Sequence, residues 1–308
     1  MPAPPSSLRK ERFLAIANPA AGGGKSAKLA GPALARLREE GLNIDVIAST
    51  GPGQGVHLAR EAYRQGYRKF LAVGGDGTAH EILNGVYAGN RDAERIALGF
   101  LPLGTGNSFL RDFTNAGADA SLEALIAKRT RPVDLIRLTH AAGELYSFNI
   151  LSVGFTADVG ALTNRVFKPL GRLGYLFGVF VRVIRLRHRA FVLRSDDETE
   201  WDEQRSLFLA FSNSKYTGGT MLIAPNANPS DGFIEFVRWG PIGRLALLRM
   251  LPSLYDGTHI KHPLASRKSV KHVDFKIPVP VDVLIDGEIF SLECKSLDVV
   301  PSAVDIYI

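Results

Sequence analysis

Six consecutive residues, Val73-Gly74-Gly75-Asp76-Gly77-Thr78, combine the residue types that hold a phosphate. The run Lys69–Val73 before them is apolar and reads as a buried parallel strand. After them, Ile82, Leu83, Val86 and Tyr87 share one face at helical spacing. Glycines at a strand-to-helix corner let backbone N–H groups approach an anion, and the helix N-terminus adds a favourable dipole. Asp76 lies inside that anion site. A carboxylate there repels bare phosphate, so a divalent cation or a hydroxyl that gives up its proton is expected beside it.

Two further loops follow the same grammar. Asn18-Pro19-Ala20-Ala21-Gly22-Gly23-Gly24-Lys25-Ser26 follows the apolar run 13–17, and Pro102-Leu103-Gly104-Thr105-Gly106-Asn107-Ser108 follows 96–101. Loops at the carboxyl ends of three strands converge on one crevice in an open α/β sheet. Gly24-Lys25-Ser26 ends like a Walker A motif, but Pro19 stands where the leading glycine belongs, so the spacing fails. Gly22–Ala27 fits G-x-G-x-x-A with Asp45 downstream, yet a dinucleotide fold gives no account of Gly74–Thr78.

The elements that must position these loops alternate. Strands are expected near 13–17, 44–48, 69–73, 96–101 and 133–138, and helices near 26–40, 55–65, 78–88 and 120–128. That is a doubly wound parallel sheet. Beyond about 139 come short strand-like runs near 146–152, 190–195, 206–212, 232–238, 271–277, 281–285 and 288–292, with a helix near 241–254. The expected organisation is a disordered leader over 1–11, a nucleotide-binding α/β domain over 12–138, and a β-rich domain, sandwich or barrel, over 139–308.

Composition narrows the setting. The 308 residues are 45% apolar and 22% charged, as in a globular protein with an ample core. Cys294 is the only cysteine, which rules out an intrachain disulfide and suits a reducing compartment. No window reaches the length of a membrane span, and the leader lacks an apolar signal core, so a cytoplasmic location is expected. A net charge of +6 suits an anionic partner. No motif supports nucleic acid as that partner. Residues 159–195 contain no Asp or Glu and interleave Arg165, Lys168, Arg172, Arg182, Arg185, Arg187, Arg189 and Arg194 with apolar residues. Such a stretch either docks its apolar face on the core or lies on anionic lipid head groups. In the second half, Asp286-Gly287-Glu288 reads as a hairpin turn, and Asn226–Phe233 as a turn whose oxygens suit a hard cation.

Asn18-Pro19 with Gly24-Lys25, Gly74-Gly75-Asp76-Gly77-Thr78 with Glu81 and Asn84-Gly85, Leu103-Gly104-Thr105-Gly106-Asn107, and Asp286-Gly287-Glu288 occur in one order. Together they resemble the diacylglycerol kinase catalytic-domain family, which includes bacterial soluble lipid kinases and sphingosine kinases. The resemblance covers nearly all the chain from residue 12. It implies a phosphofructokinase/NAD-kinase-like α/β domain, a β-sandwich lipid-binding domain, and an active site in the cleft between them. It further implies ATP and Mg²⁺ as cofactors, and a lipid substrate met peripherally at a membrane surface. The implied ATP contacts are Asn18, Pro19, Gly24, Lys25, Thr50, Gly74, Gly75, Asp76, Gly77, Thr78, Glu81, Gly104, Thr105 and Asn107. Glu288 matches the general base, Asp76 an essential acid, and Asn228, Asp231, Phe233 and Asp286 the metal positions. Asp134 and Lys168 look like an ionic link between the domains. Two departures concern the acceptor: Ser108 stands where bacterial members carry Asp, with Asp112 four residues on, and His80 replaces a common Asn. An NAD-kinase-like enzyme and a non-catalytic nucleotide- and lipid-binding regulator are the alternatives, and oligomeric state is left open.

Overall fold

The computed structural model describes residues 9–104, 106–114, 117–163, 166 and 171–308, with 171–177 as backbone only. Most of the expected leader therefore falls outside the described residues. The chain divides into two compact units, Met1–Leu135 with Pro301–Ile308, and Ile136–Val300.

In the first unit, β1 (Phe13–Ala17), β2 (Ile44–Ala48), β3 (Lys69–Gly74) and β4 (Ile96–Pro102) form a parallel sheet in the order β2-β1-β3-β4. Helices α1 (Lys25–Glu39), α2 (Gln54–Arg64), α3 (Asp76–Tyr87) and α4 (Gly117–Ile126) complete the layers. Phe13, Ala15, Leu71 and Val73 pack against Leu34 and Leu37 of α1 and Leu122 and Leu125 of α4. α1 begins at Lys25, directly after the glycines, and continues through Pro32. The sheet gains a strand from the end of the chain, where Val304, Asp305 and Ile306 pair in parallel with Ile96, Ala97 and Leu98. A linear division at 139 has no place for this return. Its entry is set by Ser302, whose N–H donates to the buried Asp134 carboxylate at 2.7 Å, with Ser302 at φ 49°.

The second unit is a sandwich. β7 (Ile150–Gly154), β9 (Phe208–Ser212), β10 (Ile234–Trp239), β11 (Ala265–Val270), β13 (Val281–Ile285) and β14 (Glu288–Leu292) form an antiparallel sheet in the order β11-β10-β9-β7-β13-β14. Facing it are β8 (Leu193–Ser195), β12 (His272–Phe275) and the start of β15 (Cys294–Tyr307), together with the hairpin of β5 (Thr130–His140) and β6 (Gly143–Ser147). Successive strand residues point to opposite faces. Leu209 and Phe211 therefore enter the inter-sheet core with Val273 and Leu297, while Phe208 and Ala210 face a second core. That second core includes Val159 of α5 (Phe155–Leu162), Val179 and Val183 of α6 (Gly171–Ile184), Leu247 of α7 (Arg244–Met250) and Leu254 of α8 (Ser253–Asp256). Both faces of the six-stranded sheet are covered, which is why β9 and β10 are buried at every residue.

Two expected elements divide. The run 146–152 splits into β6 and β7, which belong to different sheets. The helix near 241–254 becomes α7 and α8, parted at Leu251-Pro252, where both residues keep helical dihedrals but proline has no N–H to continue the hydrogen-bond ladder.

One ion cluster ties β12 to β15. His272 Nδ1 lies 2.8 Å from Asp298 Oδ1 and its Nε2 lies 3.1 Å from Asp274 Oδ1, while Arg137 and Arg194 pair with the same two carboxylates. Burial pulls the imidazole pKa down, but the two carboxylates outweigh it and hold the value above the ordinary one. The folded state thus binds the proton more tightly than the unfolded chain. The resulting stability is present below the unfolded pKa of about 6.5 and lost as pH rises through the higher folded value. Melting temperature should accordingly fall across that window, and His272→Ala should flatten the profile; an unchanged slope in the variant would place the titration elsewhere.

Candidate active site

In the first unit the three glycine loops meet at the carboxyl ends of β1, β3 and β4. The Asn18 N–H donates to the Val73 carbonyl at 2.9 Å, and the Gly104 N–H to the Gly74 carbonyl at 2.9 Å. A methyl group on Gly75 would lie 3.2 Å from the Gly104 Cα, and one on Gly22 would overlap the Leu103 carbonyl. The backbones touch only because side chains are absent there. Gly22, Gly23 and Gly24 all lie at positive φ, and Gly24 leads straight into α1. Asn107, also at positive φ, donates through Nδ2 to the carbonyls of Pro102 and Gly104, both at 3.0 Å.

Asp76 is the first residue of α3, and its Oδ2 accepts the Ser108 N–H at 2.7 Å. The helix dipole and this amide both favour the carboxylate, which joins the second loop to the third. Gly77 and Thr78 continue the first turn of α3, and the buried Thr78 hydroxyl has no hydrogen-bond partner among the described residues. Lys25 is exposed at the start of α1, and Pro19 is exposed as well. Thr105 lies outside the described residues.

Glu81 and Thr50 have tasks that spacing alone does not reveal. The Glu81 carboxylate accepts the N–H groups of Gly53 and Gly55, each at 2.8 Å, and so caps α2 from a neighbouring helix. Thr50 donates from its N–H and from its hydroxyl to Gln54 Oε1. Glu81 thereby shapes the turn that carries Thr50. Asp112 ends a single 3-10 turn, Phe109–Asp112, so no helix continues from Ser108 past it. His80 is buried within α3, its carbonyl accepting from Asn84 Nδ2 at 2.9 Å. Asp134 is occupied with Ser302, and Lys168 lies outside the described residues.

In the second unit the Asp286-Gly287 turn joins β13 to β14, with both residues at positive φ. The Asp286 carboxylate is buried. Its Oδ1 accepts from the Ser147 hydroxyl at 2.6 Å and from the N–H groups of Asn149 and Ile150, and its Oδ2 from the Phe148 N–H. These bonds separate β6 from β7. With these four donors on it, Asp286 holds the backbone at 148–150. Glu288, two residues on, is exposed, and its side chain makes no hydrogen bond or ion pair among the described residues.

Asp286→Ala should orphan three buried amides at about 1–3 kcal/mol each. The melting temperature should drop sharply although Glu288 is intact; wild-type stability would refute the holding role.

Beside this turn lies an apolar cavity of about 200 Å³. Phe155, Val179, Phe208, Met221 and Leu247 line it, with Gly287 at its wall. No motif announced the cavity, because its lining comes from strands and helices scattered over the whole unit. Among the described residues, no group of three or more His, Cys, Asp or Glu side chains could hold a metal. The turn Asn228–Phe233 offers one exposed carboxylate, Asp231, whose Oδ1 accepts the Phe233 N–H at 3.0 Å, and nearby carbonyls. Such a hard-oxygen set suits a Mg²⁺ that keeps several of its waters.

The described arginines of the basic stretch divide. Arg182 donates to the Asp158 carbonyl, Arg189 pairs with the Asp158 carboxylate at 3.2 Å, and Arg194 pairs with Asp274. Arg185 and Arg187 are exposed.

Residues 12–138 match the model of the diacylglycerol kinase catalytic domain, and residues 149–308 match that of the YegS C-terminal NAD kinase beta sandwich-like domain. The chain belongs to the diacylglycerol kinase family of lipid kinases. It is 30% identical over 298 residues to a diacylglycerol kinase of Mycobacterium tuberculosis, covering 96% of this chain and 94% of that one. It is 29% identical over 277 residues to a Pseudomonas aeruginosa protein named "Probable lipid kinase YegS-like", covering 90% and 88%. The crystal structure of a diacylglycerol kinase from Bacillus anthracis superposes with a TM-score of 0.67 at 18% identity over 96% of each chain, which establishes the shared fold. In this lipid kinase family member, no helix among the described residues is long and apolar enough to cross a membrane.

Proposed function

We propose that the protein transfers the γ-phosphoryl group of ATP to the hydroxyl of a diacylglycerol-like or sphingoid lipid. The observation that carries this reading is the apolar cavity walled by Gly287, next to Glu288, whose carboxylate has no hydrogen bond or ion pair among the described residues. An acyl chain in that cavity keeps its polar end at the turn, where Glu288 accepts the hydroxyl proton as the oxygen attacks the γ-phosphorus and ADP departs. The nucleotide phosphates lie on the amides of the Asn18–Lys25, Gly74–Thr78 and Gly104–Asn107 loops, and a methyl group on Gly22 or Gly104 would collide with the backbone of the adjoining loop and part them. Mg²⁺, when bound, neutralises charge on the phosphates, with Asp76 as the acid nearest them; Asp231 with the carbonyls of Asn228 and Phe233 would hold a structural ion. A nicotinamide nucleotide acceptor would leave the apolar cavity without a use.

The test is phosphate transfer from labelled ATP·Mg²⁺ to mixed micelles of diacylglycerol, monoacylglycerol, phosphatidylglycerol, sphingosine or ceramide, with Glu288→Gln as blank. One labelled lipid, absent from the blank, is expected. Label on NAD and on none of the lipids would overturn the reading.

A further inference from the structure

The outer face of α6 and α7 carries apolar side chains that the fold does not bury. Val179 and Val183 point into the core, while Phe180, Val181 and Ile184 point out. Phe180 is 57% exposed and Ile184 72%, although these types ordinarily reside inside. On α7, Leu247 is buried and Leu245 is 73% exposed. The two helices are tied together, since Arg244 Nε donates to the Ile184 carbonyl at 3.1 Å. Around this apolar group stand exposed Arg185, Arg187, Arg244 and Arg249. Neither helix carries an Asp or Glu. The nearest acid in the following helix, Asp256 of α8, accepts from the Thr258 N–H and hydroxyl.

We infer that this face docks on an anionic lipid bilayer, with Phe180, Ile184 and Leu245 entering the acyl boundary and the arginines meeting the head groups. Apolar projections rimmed by cations, with no compensating acid, match such a surface in both polarity and charge. An acidic protein groove is the other occupant of opposite charge, and an absence of vesicle binding by the wild type would point to it. The same helices face the cavity through Val179 and Leu247, and half-exposed Tyr255 of α8 belongs to both its lining and the outer surface. A lipid leaving the bilayer here would thus enter the cavity beside the docked face. That last step rests on the proposed lipid acceptor; the docking itself does not.

The experiment is co-sedimentation of the full chain with vesicles of pure phosphatidylcholine, or of phosphatidylcholine with phosphatidylglycerol, at low and high salt. The wild type should bind the anionic vesicles more tightly, and salt should weaken binding. Arg185→Glu/Arg187→Glu should lower that affinity at least roughly tenfold, since one arginine near an anionic surface contributes about a factor of five. Phe180→Ser/Ile184→Ser/Leu245→Ser should lower binding to both vesicle types with an unchanged far-ultraviolet circular dichroism spectrum. Wild-type binding by either folded variant, or no vesicle binding by the wild type, would overturn the inference. If a wild type bound to vesicles phosphorylates none of the lipids tested, the kinase reading fails while the docking stands. Equal phosphorylation of a monomeric short-chain acceptor by wild type and variants, with vesicle binding lost, separates docking from catalysis in the opposite direction.

Discussion

Replacing Glu288 by Gln is expected to lower turnover by roughly 10²–10⁴-fold while leaving the melting temperature unchanged. The substitution keeps the shape of the side chain and removes only its capacity to accept a proton. Glu288 is exposed, opens β14, and its side chain has no hydrogen bond or ion pair among the described residues, so no structural contact is lost with the charge. The turn beneath it is held separately, by the buried Asp286 carboxylate. This arrangement makes the variant a clean test of the base. Steady-state kinetics on the labelled lipid, beside a thermal melt, supply both readouts. Ordinary rates in Glu288→Gln would move the proton-accepting role to Asp76.

The second large effect concerns Asp76, where charge and geometry need to be separated. Asp76→Ala removes a carboxylate beside the proposed phosphate site and also releases the Ser108 amide, which it accepts at 2.7 Å. The third loop then loses an anchor to the second. A loss of roughly 10²–10³-fold or more in turnover is expected from the electrostatic contribution. Asp76→Asn distinguishes the two contributions, because an amide oxygen still accepts the Ser108 N–H but carries no charge. If charge at the phosphates matters most, Asn should be as inactive as Ala while melting like the wild type. If loop anchoring matters most, Asn should recover much of the activity that Ala loses. Recovery in Asn would be evidence against Asp76 as the acid beside the phosphates.

The glycine loops were legible in the sequence because their physics is local. A strand of four or five apolar residues, a glycine corner and a helix with an apolar face are all written within about twenty residues, and the structure places β1, β3, β4, α1 and α3 where that pattern indicates. The match of a Gly-Gly-Asp-Gly loop with a late Asp-Gly-Glu turn also pointed to the family. What could not be read was any role that depends on a distant partner. Glu81 looks like a nucleotide contact in its motif, yet its oxygens hold the amides of Gly53 and Gly55, which lie far back in the chain. Asp286 looks like a metal position, yet it accepts the amides at 148–150 and so decides that 146–152 is two strands rather than one.

Likewise the end of β15 joins the parallel sheet of the first unit through pairing with β4 and the capture of the Ser302 N–H by Asp134, both distant in sequence. Sequence alone therefore determined which residues have the chemistry to bind phosphate and to accept a proton, since that chemistry resides in the side-chain types and in glycine's freedom at tight corners. Only the tertiary structure decided which carboxylates remain available for it. Long-range backbone amides engage Asp286 and Glu81, while Glu288 is left facing solvent beside an apolar cavity that no short stretch of sequence encodes.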